Sequence, residues 1–220
     1  MFTLSALVPS AFTFLAFTGT VALAPLAALS SPVQDRAEGI VQELRQLPTP
    51  LPATGRSDGS IDPIEQRRRE LYGELRQLGP DALPALARGL TDPDIHLRRN
   101  VALALNVLAG NWFDRSKKGM DIRPALPALI AALQDADGSV RAWSAQAIGE
   151  IGPDGAQAVP ALVMLLGSAD EGSRNSACIA LYGIGPAAKD ALPALEKALS
   201  DPSANVRRFA QRAVEKIRAR

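Results

Sequence analysis

Residues 125–152 read ALPALIAALQDADGSVRAWSAQAIGEIG and residues 158–185 read AVPALVMLLGSADEGSRNSACIALYGIG. Two further segments align with them over 28 residues without a gap: 82–109 (ALPALARGLTDPDIHLRRNVALALNVLA) and 191–218 (ALPALEKALSDPSANVRRFAQRAVEKIR). The starts are 43, 33 and 33 residues apart. Several columns do not vary, among them Pro84, Pro127, Pro160 and Pro193; Leu86, Leu129, Leu162 and Leu195; Leu90, Leu133, Leu166 and Leu199; and Arg98, Arg141, Arg174 and Arg207. Fixed columns of such different chemistry mark an array whose units bury their apolar faces on one another.

Each unit reads as two helices. In A-x-P-A-L-x-x-x-L the apolar residues recur three and four apart, and the proline sits near the helix start, where its missing N–H costs little. Turns rich in Asp, Ser, Gly and Pro follow: Thr91–Asp94, Asp135–Gly138, Ser168–Glu171 and Ser200–Ser203. They stop one helix and cap the next. The second helix shows its stripe as Ala177, Ala180, Leu181 and Ile184. Gly-Pro (Gly152-Pro153, Gly185-Pro186) ends it, glycine supplying a positive φ.

Over about 82–218 the units resemble HEAT repeats, of the short bacterial type similar to those of phycobilisome lyases. The resemblance implies an all-α fold, an α-solenoid wound as a right-handed superhelix of helix–turn–helix repeats. It also implies a ladder linking successive layers, in which a turn Asp is paired with an Arg six residues on: Asp92/Arg98, Asp135/Arg141 and Asp201/Arg207. The third repeat sets Ser168 opposite Arg174, so either Asp170 substitutes or the ladder is broken there.

Upstream, 31–80 reads as a degenerate capping repeat. Its first helix spans 34–47 and its second 66–80, with Arg67, Arg68 and Arg69 on a solvated face and 48–62 as an exposed linker. Met1 to Gln34 carry no charged side chain, and 11–29 are apolar. Residues 1–30 are therefore expected to be a signal peptide, cleaved near Ala28–Ser30, or an uncleaved membrane anchor. Export to the periplasm or the exterior follows from the first reading, N-terminal membrane association from the second.

Composition narrows the function. With 24 Lys+Arg against 23 Asp+Glu the formal charge is +1, which speaks against specific nucleic-acid binding. One Cys (Cys178) and one His (His96) leave no disulfide, no soft-metal cluster and no catalytic triad, so neither metal nor cofactor is expected. His96 reads as an exposed residue at a helix start and Cys178 as a small packing residue. The di-iron site of HEAT-repeat hydroxylases of the deoxyhypusine type needs repeated His-Glu pairs, which this chain lacks.

The expected activity is a non-catalytic scaffold, a monomer binding a protein partner through one of two places. The 43-residue interval holds an insertion, 110–123, where Trp112 and Phe113 stand beside Arg115, Lys117 and Lys118. These rings either anchor a partner or fold back over the edge of 82–109. The second place is the concave face, which the resemblance assigns to the second helices. Its rows are Arg99, Ala142, Asn175 and Arg208; Asn100, Trp143, Ser176 and Phe209; and Leu103, Gln146, Ile179 and Arg212. Trp143 and Phe209 either project as anchors or pack between repeats. The basic C-terminal stretch reads as solvated helix capping. The alternative activity is an accessory subunit related to phycobilisome lyases, with a lyase or oxidoreductase label attached by resemblance.

Overall fold

The computed structural model describes residues 31–49, 61–110 and 119–219. The expected signal or anchor segment, most of the linker, and Trp112 and Phe113 lie outside them. Among the described residues there is no strand, and no helix is long and apolar enough to cross a membrane.

Among the described residues ten α-helices follow one another: α1 (Pro32–Gln46), α2 (Pro63–Leu78), α3 (Leu83–Gly89), α4 (Ile95–Gly110), α5 (Leu126–Ala132), α6 (Gly138–Ile151), α7 (Val159–Leu165), α8 (Glu171–Ile184), α9 (Leu192–Ala198) and α10 (Ala204–Arg218). From α3 onward a short first helix alternates with a long second one, and α4, α6, α8 and α10 stack in succession. The chain is an α-solenoid.

The repeated prolines lie in the first turn of α3, α5, α7 and α9, where no intrahelical N–H bond is lost. Asp137, Asp170 and Ser203 cap α6, α8 and α10 by accepting bonds from backbone N–H groups. At the far ends Gly79, Gly152 and Gly185 have φ of 67, 73 and 66°. The chain does not loop away after them. Gly152–Ala158 and Gly185–Ala191 form 3-10 turns that run straight into α7 and α9, so each unit is joined to the next almost without slack.

One core runs the length of the stack, built of Leu, Ile, Val and Ala. Cys178 is wholly buried in it, and burial pushes its thiol up to about 12, a packing residue rather than a nucleophile. Small residues let the second helices close up. A Cβ on Gly183 would come within 2.3 Å of the Gly149 carbonyl oxygen, so α6 and α8 meet backbone to backbone.

The opening unit departs from the expected one. Aligning Gly79 with Gly152 puts Arg68 in the invariant Arg column. Arg68 was assigned to a solvated face, but it is only 2% exposed. Its guanidinium donates to Asn100 Oδ1 (2.8 Å), to the Pro48 carbonyl (2.7 Å) and to Glu65 (3.1 Å). A buried charge needs such partners. Arg67 and Arg69 stay nearer solvent, Arg67 paired with Glu43 and Glu70.

Candidate functional site

The invariant Arg column is built first, because it fixes the side chains around it. Arg98 donates from Nη1 to the Asp92 and Pro93 carbonyls of its own turn (2.9 and 3.1 Å). Its other edge grips the carboxylate of Asp135, one repeat on, at 2.7 and 3.2 Å. Arg174 repeats this, holding the Ser168 and Ala169 carbonyls and the Asp201 carboxylate (2.8 and 3.0 Å). The ladder pairing therefore differs from the one expected. An Arg meets the turn Asp six residues before it only through the backbone carbonyl, and its side-chain bond goes to the next layer. Asp92 is served from upstream by Arg45 of α1 at 2.7 and 3.0 Å.

The third turn is the weak rung. Ser168 Oγ accepts from Asp170 N–H as the turn carboxylates do from theirs, but it offers Arg141 no anion. Arg141 Nε donates instead to Ser173 Oγ at 3.0 Å, and its Nη2 stands 3.6 Å from Asp170. Asp170 is thus a partial substitute. At the last rung, Arg207 binds, among the described residues, the Asp201 and Pro202 carbonyls alone. Guanidinium contacts hold Asp92 (Arg45) and Asp201 (Arg174) below the usual carboxylate range.

The second-helix rows separate by depth. Arg99 is engaged by Asp137, the α6 cap, at 3.0 and 2.5 Å, and this contact lowers the Asp137 pKa. The row of Asn100, Trp143, Ser176 and Phe209 is not the variable free surface it was read as. Asn100 is fully buried, with Nδ2 donating to the Leu44 and Leu47 carbonyls (2.9 Å each). Ser176 is buried and accepts from Gln146 Nε2 at 3.1 Å. Both bonds reach the preceding layer, so this register falls in the seam between second helices. Trp143 and Phe209, in the same register, are half-buried and pack on the core.

The row of Leu103, Gln146, Ile179 and Arg212 is half-buried in the first three repeats and exposed in the last. Gln146 also accepts from Asn106 Nδ2 (3.3 Å), which makes a relay from Asn106 through Gln146 to Ser176. Asn106 Oδ1 and Asn175 Oδ1 are buried and receive no hydrogen bond from the described residues. In the last repeat Arg212 lies over the rings of Tyr182 (5.2 Å) and Phe209 (5.7 Å), and Arg208 lies over Phe209 (5.0 Å). Tyr182 and Asn106 share a column of their own, one turn beyond this row, and sequence reading passed over both. The alternation of Asn106, Gly149, Tyr182 and Glu215 was the available signal.

A hollow of about 340 Å³ sits where the insertion leaves the stack, floored by Ala109, Met120 and Ile151 and rimmed by Asp121, Arg123 and Asp154. Arg123 bridges both carboxylates, at 2.6 and 2.9 Å. No set of three metal-ligating side chains occurs among the described residues. His96 is exposed, its Nδ1 3.2 Å from Thr49 Oγ1.

Residues 126–215 match the family of HEAT repeats. No curated protein matches the chain. Among solved structures, computationally designed armadillo repeat proteins for modular peptide recognition share 27% identity, covering 67% of this chain and 68% of that one, with a TM-score of 0.55. A designed armadillo repeat protein in complex with the peptide (KR)4 shares 21% over 83% of this chain and 82% of that one, with a TM-score of 0.56. The complex of CpcE and CpcF of phycocyanin lyase from Nostoc sp. PCC7120 shares 24%, covering 96% of this chain and 70% of that one, with a TM-score of 0.56. Solenoids of this kind are typically non-catalytic and bind proteins or peptides. Residues 126–215 are thus similar to HEAT repeats and lie within a longer all-α solenoid similar in fold to designed armadillo arrays and to phycocyanin lyase subunits.

Proposed function

We propose that the chain is an exported, non-catalytic scaffold that binds a protein partner along the concave face of its second helices. One observation carries this reading. Beside an Arg column that never changes, the adjoining groove row changes chemistry at every step, from Leu103 to Gln146, Ile179 and Arg212. Variation in the seam row is absorbed by packing and hydrogen bonds between layers, whereas a row that stays accessible can vary so as to fit a partner that does not repeat. The insertion 110–123, with Trp112 and Phe113, is a second contact element.

Export rests on the uncharged, apolar 1–30. It is supported by the first described helix, which opens at a Ser31–Gln34 capping box immediately after the expected cleavage point. N-terminal sequencing of the mature chain tests it, and a soluble protein still starting at Met1 refutes it. Binding is tested by affinity capture from the envelope fraction with wild type, with Gln146→Ala/Ile179→Ala, and with 110–123 deleted. Loss of one specific partner with the groove variant is expected, and retention by every variant refutes the assignment. The accessory-subunit alternative rests on a likeness of fold.

A further inference from the structure

We propose that the groove of the last two repeats receives an anionic peptide segment, with carboxylates on Arg208 and Arg212 and an apolar neighbour on Ile179. This rests on the concave face being the binding surface.

Most guanidiniums of the ladder are already neutralised. Arg45, Arg98 and Arg174 are held by turn carboxylates, and Arg99 by the α6 cap. Arg208 donates only to Asn205 Oδ1 at 3.2 Å, and neither it nor Arg212 pairs with a carboxylate among the described residues. The one acid on the same stretch of α10, Glu215, accepts from Gln211. Both cations are exposed, yet they are not loose, because the rings of Phe209 and Tyr182 lie under them. Stacking on an aromatic face leaves the N–H edge of a guanidinium free and restricts its rotamers, which lowers the entropy cost of a bidentate carboxylate bond.

Spacing fits an extended segment. Arg208 and Arg212 are one helical turn apart, about 6 Å along the axis. Alternate side chains of an extended strand are about 6.6–6.8 Å apart and point the same way. Acidic residues two apart therefore reach both cations. Ile179 of α8 lies a helix spacing away, about 8–10 Å.

Other anions fit less well. A lipid surface needs an apolar helix face to insert, but that of α10 (Val206, Ala210, Val214, Ile217) is buried in the stack. A nucleic acid needs many phosphate contacts and a basic excess, and this chain's formal charge is +1.

The test measures anisotropy of a labelled peptide alternating Glu and Leu, titrated with the full chain at low and high salt. Saturable binding is expected, weakened about tenfold or more by Arg212→Gln and lost in Arg208→Gln/Arg212→Gln. It should be unchanged in Arg88→Gln, which alters a remote exposed arginine. Thermal unfolding of each variant separates lost contact from lost fold. Absence of saturable binding, insensitivity to both substitutions, or equally tight binding of oligothymidine or phosphatidylserine vesicles overturns the proposal. Preference for a Lys-Arg repeat or a neutral apolar peptide, weakened by Gln146→Ala/Ile179→Ala, overturns the anionic assignment while leaving the concave-face reading standing.

Discussion

Each invariant arginine does two jobs with one planar group, and the two edges are not equally served along the array. Arg98 and Arg174 close their own turn and clamp the next carboxylate, Arg141 has only a hydroxyl and a distant Asp170, and Arg207 has no carboxylate partner in the described structure. Charge-assisted bonds contribute about 1.5–3 kcal/mol each, so Arg174→Ala is expected to lower unfolding free energy by about 1–3 kcal/mol. Arg141→Ala should cost less and Arg207→Ala least, as read from urea midpoints. Equal losses at all three positions would show that the inter-layer clamp contributes nothing. The weak rung also invites repair. Ser168 already makes the turn bond that Asp92, Asp135 and Asp201 make. Ser168→Asp should raise the urea midpoint by an amount worth about 0.5–1 kcal/mol, and the gain should vanish in an Arg141→Ala background. A gain that survives without Arg141 would place its origin elsewhere.

At the scale of the helix, the distance between α6 and α8 is set by what glycine lacks. Gly149 and Gly183 face each other where an added Cβ would meet backbone at 2.9 and 2.3 Å. Alanine normally stabilises a helix interior by about 1 kcal/mol over glycine. Here Gly183→Ala is expected to destabilise by about 1–3 kcal/mol through forced separation of the helices. Gly73→Ala in α2, where nothing lies within 4 Å, should do no harm. Similar midpoints for the two variants would rule out the close approach. The repeated helices, their prolines and the Gly-Pro ends were all legible in the sequence, because each is a local device recurring in register. The destination of each Arg was not, because position i and the turn six residues before it are visible in one line while the next layer is not. For the same reason Asn100 passed for surface. Only with α1 and α2 in place does its amide become the link between Arg68 and the Leu44 and Leu47 carbonyls. The seam and the more exposed row beside it lie on adjacent arcs of the same helix, and no periodicity separates them.

Across the whole array the turn carboxylates act together. Asp92, Asp137 and Asp201 are held below their ordinary values by Arg45, Arg99 and Arg174. With a lowered folded-state pKa, the unfolded chain binds more protons below about pH 3.9, so stability rises with pH through that window. Stability should be full above about pH 5 and fall as pH drops below about 4 toward the folded-state values. Urea midpoints measured at a series of pH values check this, and Arg174→Ala should flatten the acid limb. An acid limb of the same steepness in that variant would assign it to other groups.

In every rung that pairs an Arg with a carboxylate of the next layer, the cation lies upstream and the carboxylate downstream, and this gives the molecule a polarity. Cropping the chain after α8 removes Asp201 and leaves Arg174 facing water, where an arginine is readily solvated. Cropping before α3 removes Arg45 and Arg68 together, opening Asp92 to water as well but also uncovering the Asn100 amide, which α1 and α2 had buried and bonded. Lineages that gain or lose a module by duplication or deletion thus meet an open end and a closed one. A newcomer at the C-terminus need bring only an aspartate in its first turn, whereas one at the N-terminus must supply a correctly aimed arginine and a substitute for Arg68.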